Sequence, residues 1–168
     1  KKMGKSILSP VLLFVAIVPS TARSAEILER GSKAEKMASG GSFTEGPVVD
    51  LDGDLYFSDG GRVMKLATDG KLSVYAKPEG SVNGMMFDSQ GRLHLCQHRA
   101  SRVSRLAHDK SLKVRATGCD GFPLSTPNDI AIDRRGRIFF TDTSFRHGTG
   151  EKRTKSGVMR VDPHGKCE

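Results

Sequence analysis

The sequence predicts an all-β protein made of repeated four-stranded units, and three observations carry that expectation. The first is a repeat. Three Asp-x-x-Gly turns, in DLDGDLYFSD, DSQGRLHLCQ and DRRGRIFFTD, set Gly53, Gly91 and Gly136 apart by 38 and 45 residues, a period typical of propellers and arrays. The second is what flanks each turn. Short apolar runs precede it (Pro47–Val49, Met85–Phe87, Ile130–Ile132) and follow it (Leu55–Phe57, Leu93–Leu95, Ile138–Phe140), which is the signal of a β-hairpin. The third is a second hairpin in phase with the first. VMKL at 63–66, VSRL at 103–106 and VMRV at 158–161 are alike, and Asp69, Asp109 and His164 follow each valine by six residues at a further turn. Four short strands joined by tight turns make a propeller blade.

Taken in order, residues 1–24 read as a signal peptide. Lys1, Lys2 and Lys5 form a basic start, with Met3 as the expected initiator. Ile7–Val18 is an apolar core, and Ala22-Arg23-Ser24 offers small residues at a cleavage site. Twelve apolar-core residues are too few for a membrane-spanning helix, which needs roughly 20. Export to the periplasm or medium is therefore expected, with an uncleaved anchor as the second reading and no stable span after cleavage. Residues 25–41 are charged and Gly/Ser-containing and read as a linker, with a short helical turn expected around Ala34–Ala38. The repeat then predicts a partial propeller over 42–168, in units of about 43–77, 81–116 and 126–168. Six blades of roughly 40–45 residues would need far more chain than this, so about three are expected here, the third ending inside its fourth strand.

The net charge of +8 divides in two. Four of the 27 basic residues, Lys1, Lys2, Lys5 and Arg23, fall in residues 1–25, which hold no acid, so half of the excess belongs to the leader. Clusters at Arg134-Arg135-Arg137 and Lys152-Arg153-Lys155 fall at a turn and in a long loop, Thr143–Ser156, and read as solvated. No basic face with interleaved aromatics marks a nucleic-acid partner. No Gly-Lys-Ser/Thr phosphate loop or Gly-x-Ser-x-Gly elbow is present. Three cysteines, Cys96, Cys119 and Cys167, define no disulfide framework by their spacing, although an exported protein can oxidise a pair.

Counting eight residues back from each turn glycine lands on Glu45, Asn83 and Asn128. All three carry side-chain oxygens at the start of a unit's first strand, and in a propeller that strand lines the central channel. Converging oxygens suit a hard divalent cation; the competing reading is local turn hydrogen bonding. Strand alternation would turn Asp129 away from Asn128, unless the strand starts irregularly. His94, Cys96 and His98 share one face of a strand, as a zinc trio would. The repeat instead matches His94 to Tyr56 and Phe139, and Cys96 to Ser58 and Thr141, which are packing slots. Asp59 and Asp142 end equivalent strands and are expected to cap the turns that follow them.

The motifs FTEGP (43–47), VNGMMFDSQGRL (82–93) and TPNDIAIDRRGRIFFTD (126–142) resemble the gluconolactonase/regucalcin (senescence marker protein) family. That resemblance implies a six-bladed propeller with a divalent metal in its channel, Ca2+ first and Zn2+, Mg2+ or Mn2+ as alternatives, and hydrolysis of a small lactone such as a sugar-acid lactone. It implies Glu45 as a metal ligand and Asn128 as a ligand or substrate contact. Asn83, Asp129 and His98 are the further channel or substrate candidates. The family's remaining Asn ligand and its catalytic Asp lie in later blades and have no counterpart here, so the 168 residues alone are expected to be inactive. The alternative is a non-enzymatic extracytoplasmic propeller used for binding or as a scaffold.

Overall fold

Each Asp-x-x-Gly turn closes its hairpin by the same two devices. The main-chain N–H of Gly53, Gly91 and Gly136 donates to the carbonyl of Asp50, Asp88 and Asp133 at 3.2, 2.9 and 2.9 Å. One carboxylate oxygen of each aspartate accepts the N–H groups two and four residues on, for Asp133 those of Arg135 and Arg137 at 2.9 and 3.0 Å. Positive φ at these glycines (87°, 71° and 74°) completes the turn. The repeat seen in the sequence is thus a repeat of saturated turns.

The computed structural model describes residues 31–143 and 156–168. Strands β1 (Thr44–Val49), β2 (Leu55–Asp59), β3 (Arg62–Leu66) and β4 (Leu72–Ala76) form one antiparallel sheet in sequential order. Strands β5 (Val82–Phe87), β6 (Leu93–Gln97), β7 (Arg102–Leu106) and β8 (Leu112–Ala116) form a second. After a small hairpin, β9 (Gly118–Cys119) and β10 (Phe122–Pro123), strands β11 (Thr126–Ile132), β12 (Ile138–Thr143) and β13 (Gly157–Val161) form the third. Its fourth strand is begun by a bridge from Cys167 to Val161 and reciprocal main-chain bonds between Arg160 and Glu168. These are three blades of a propeller.

The cores lie between blades, because each sheet is covered on the face its neighbour presents. Tyr56, Val63, Ala76, Val82, Met85, Leu93, Leu95 and Leu106 join the first blade to the second, with Tyr56 meeting Tyr75 and Phe87 edge-on at 4.9 and 5.1 Å. A second cluster, including Cys96, Val103, Ile130, Phe140 and Met159, joins the second to the third. Burial drives the Cys96 thiol pKa upward, as befits a packing residue. A disulfide links Cys119 to Cys167, with Cα atoms 4.6 Å apart, and ties the segment before the third blade to that blade's last strand.

Two expectations need correction. The described part of the Lys1–Glu35 unit, residues 31–35, carries no regular structure, and Lys36–Gly41 at the start of the other unit carries none either. The helical turn expected around Ala34–Ala38 does not form, because every residue of 31–41 is exposed and no apolar face is available to bury. Asp59 and Asp142 do cap main-chain N–H groups, but where the chain enters the first strand of the blade. Asp59 accepts from Ser42 and Phe43 at 2.7 and 3.1 Å, besides pairing with Arg62 in the following turn. Asp142 accepts from Ser125 and Thr126 at 3.1 and 2.7 Å. Gln97, in the same slot of the second blade, donates to the Glu79 carbonyl instead and accepts from Arg102. The signal-peptide segment and most of the long β12–β13 loop, with Lys152, Arg153 and Lys155, lie outside the described residues.

Candidate metal and substrate site

The first strand of every blade is interrupted near its start. Between Glu45 and Val48, between Val82 and Met85, and between Pro127 and Ile130 the pairing with the second strand shifts. In each blade this leaves two residues against one, Asn83-Gly84 and Asn128-Asp129 at matching positions and Gly46-Pro47 one position later, a β-bulge of the kind that re-aims side chains. The bulges are anchored by hydroxyls from the second strands. Ser58 Oγ donates to the Glu45 carbonyl at 3.2 Å, and Thr141 Oγ1 accepts from the Asp129 N–H at 3.0 Å. Cys96, in the equivalent slot, reaches across to the Asp129 carbonyl at 3.7 Å.

The bulges also bring the blades into main-chain contact. A Cβ on Gly46 would fall 2.7 Å from the Asn83 carbonyl oxygen, and one on Gly84 would fall 2.6 Å from that of Asn128. Only glycine permits this approach. It draws β1, β5 and β11 together around one cavity of about 350 Å³, whose wall includes Glu45, Asn83, Asn128 and Asp129. Glu45 and Asp129 are exposed to the opening, and the two asparagines are half-buried.

Of the residues singled out in the sequence, four therefore meet. Asp129 joins Asn128 on the same wall because the bulge cancels the alternation that would have turned it outward. Its Oδ1 accepts the Ile130 N–H at 2.9 Å, which fixes the side chain beside the strand. His98 sits in a 3-10 turn, His98–Ala100, after β6 and is not part of this cavity wall. His94 is buried with Nε2 3.0 Å from Asp88, and Cys96 is in the core.

A carboxylate and two amide oxygens are hard donors of the type Ca2+ or Mg2+ takes, and they lack the nitrogen and sulfur that Zn2+ favours. Among the described residues no three His, Cys, Asp or Glu side chains converge as a metal cluster. The asparagines are what make the donor set, and they are also able to donate N–H groups to a bound polar molecule.

Residues 43–168 match the model of the SMP-30/Gluconolactonase/LRE-like region. The chain belongs to this family. A gluconolactonase from Zymomonas mobilis is 24% identical over 166 residues, an alignment covering 84% of this chain and 46% of that protein. A structural-genomics X-ray structure assigned by family to the gluconolactonases superposes with a TM-score of 0.74 at 28% identity, over 83% of this chain and 52% of the other. A gluconolactonase from Xanthomonas campestris, described as important in glucose secondary metabolic pathways, gives 0.73 at 26% identity, over 79% and 48%. The chain thus spans about half the length of the gluconolactonases it matches.

Proposed function

We propose that the protein is a hydrolase of small lactones, sugar-acid lactones foremost, whose substrate and a divalent cation meet in the cavity walled by Glu45, Asn83 and Asn128. The observation that carries this reading is the convergence of those three equivalent positions on one cavity in a chain of the gluconolactonase-like family. Glu45 and Asn128 would hold the cation, Ca2+ in preference to Zn2+ on the donor chemistry. A bound cation would supply Lewis acidity toward the lactone carbonyl. Asn83 would hydrogen-bond the sugar hydroxyls, and Asp129, the second carboxylate among the described residues of the cavity wall, would help to position a polar group. The main-chain contacts at Gly46 and Gly84 hold these side chains at fixed separation, so binding needs little reorganisation.

Export is part of the proposal. The leader-like residues 1–24 suggest it, and a Cys119–Cys167 disulfide is at home in an oxidising compartment. Among the described residues no helix is long and apolar enough to cross a membrane.

The test is Glu45→Gln in the full-length protein, which keeps shape and removes charge. Metal affinity measured by calorimetry and lactone turnover should fall together, each by about tenfold or more, as expected for losing a hydrogen-bonding or coordinating charge, with partial recovery at high metal concentration. Full turnover after chelation, or a silent Glu45→Gln, would overturn the proposal and leave a non-enzymatic propeller.

A further inference from the structure

The opposite end of the same strands holds a second cavity, of about 320 Å³, between the second and third blades. Arg92, Arg105 and Arg115 reach it from the second blade, and Arg134 and Arg135 reach it from the Asp133–Gly136 turn of the third. Asp88 is the wall's one carboxylate among the described residues, and it is already engaged. Its oxygens accept from Arg92 Nε at 2.7 Å, His94 Nε2 at 3.0 Å and the main-chain N–H groups of Gln90 and Arg92. Arg115 donates to the Pro163 carbonyl at 3.3 Å while its buried Nε has no hydrogen-bond partner. His94, 5% exposed, spends its Nε2–H on Asp88, which leaves its unpartnered Nδ1 an acceptor and the arginines as the wall's donors. No carboxylate among the described residues pairs with Arg105, Arg115, Arg134 or Arg135.

The first blade shows that this excess is not intrinsic to the fold. There the residue after the turn glycine is Asp54, which pairs with Lys65, and Lys65 stands across the strand from Tyr56. In the second blade the corresponding residues are Arg92, Arg105 and His94. Acid has been replaced by guanidinium on a wall that the third blade then doubles. Read in isolation, Arg134 and Arg135 pass for solvated turn residues; the neighbouring blade gives them common purpose.

Guanidinium groups converging on a half-enclosed cavity repel one another unless an anion joins them, and the planar fork of arginine matches phosphate oxygens in pairs. We propose that this cavity binds a phosphate group, carried either by free inorganic phosphate or by a small phosphorylated sugar. Its volume equals on the order of ten waters at about 30 Å³ each, room for a phosphate with a sugar attached. The site lies at the far end of β5 and β11 from Asn83 and Asn128, about five residues or ~17 Å along an extended strand. It is independent of the lactone reading and does not stand or fall with it.

The experiment titrates the chain by calorimetry with inorganic phosphate and with glucose 6-phosphate, with gluconate as a carboxylate control, all at ionic strength matched with chloride. Saturable binding of one phosphate probe per chain is expected. Equal affinities would identify free phosphate as sufficient, and tighter binding of the sugar phosphate would assign the rest of the cavity to the sugar. Arg134→Ser with Arg135→Ser, both exposed and bound to their turn only through the main chain, should weaken binding by about tenfold or more. Arg105→Gln probes the opposite wall with the same expectation, and Lys71→Ser, exposed on the first blade and off the cavity, should leave binding unchanged. Absence of saturation, gluconate binding as tightly as phosphate, or Lys71→Ser weakening binding as much as the arginine variants would overturn the proposal.

Discussion

The two ends of the innermost strands make opposite use of the same repeat. Where each strand starts, the main chain is irregular, glycines press the blades together and the side chains offered to solvent are oxygens: Glu45, Asn83, Asn128 and Asp129. Where each strand ends, the main chain is regular and saturated by the Asp-x-x-Gly turn, and the side chains vary freely, from Asp54 in the first blade to Arg92 and Arg137 in the next two. The first end spends its conformational specificity on geometry. The second keeps geometry constant and varies charge. Substitutions in the main-chain framework of the starting end should therefore cost stability and binding together, whereas exposed substitutions at the turn end should alter what is bound with little cost to the fold.

The largest effect expected is from Asp142→Ala. Asp142 is 1% exposed and accepts the N–H groups of Ser125 and Thr126, so its removal strands buried donors. A loss of about 3 kcal/mol, the upper value for hydrogen bonds to a charged group, should appear in urea unfolding. A variant as stable as the parent would show that the clasp is not what anchors the strand start. Next comes Gly84→Ala, whose Cβ would meet the Asn128 carbonyl oxygen and the Asp129 Cα, each at 2.6 Å. Overpacking of this kind costs about 1–3 kcal/mol, and metal affinity in the full-length protein should fall with it because the third blade must withdraw. If melting temperature drops while metal affinity holds, the main-chain contact and the cavity are not coupled.

The smallest effect is a pH dependence shared by both ends. Main-chain N–H groups of Phe43 and Ser42 hold Asp59 at about 2, below an ordinary 3.8. Burial would raise Asp88, yet His94 and the Arg92 and Gln90 contacts bring it to about 2 as well. A carboxylate depressed in the folded state contributes stability above its unfolded pKa and loses it as pH falls through the folded value. The steep part of the melting-temperature profile should accordingly lie between about pH 4 and about 2. Burial depresses His94, so the unfolded chain takes up its proton first and a shallower decline should begin below the ordinary histidine value of 6.5. Asp59→Asn should flatten the steep part, and an unchanged profile would mean that Asp59 titrates alike in both states.

Much of this was legible in the sequence because the repeat compares each position with two others. The strands, the turns and the convergence of Glu45, Asn83 and Asn128 all follow from offsets to a glycine. What the offsets could not convey was main-chain irregularity. Alternation placed Asp129 away from Asn128, and only the bulge between Pro127 and Ile130 reverses it. Asp142 and Asp59 were recognisable as caps, but their partners lie 16 or 17 residues back rather than in the next turn. Pairing of Cys119 with Cys167 spans 48 residues, a distance at which spacing carries no information. The arginine cavity was hidden for a similar reason, since Arg115 and Arg134 become neighbours only when two blades stack.

Gly46 and Gly84 set how far apart the ligand-bearing strands stand, and they do it with main-chain atoms that every amino acid shares. The width of the cavity is therefore insulated from the composition of the blades. Leucine can exchange for isoleucine or methionine between sheets, and the packing can drift over many substitutions, without moving Glu45 relative to Asn83. Two glycines thus act as the gauge blocks of the molecule. A lineage that keeps them can vary its surfaces and its turn-end charges widely while passing on the same aperture.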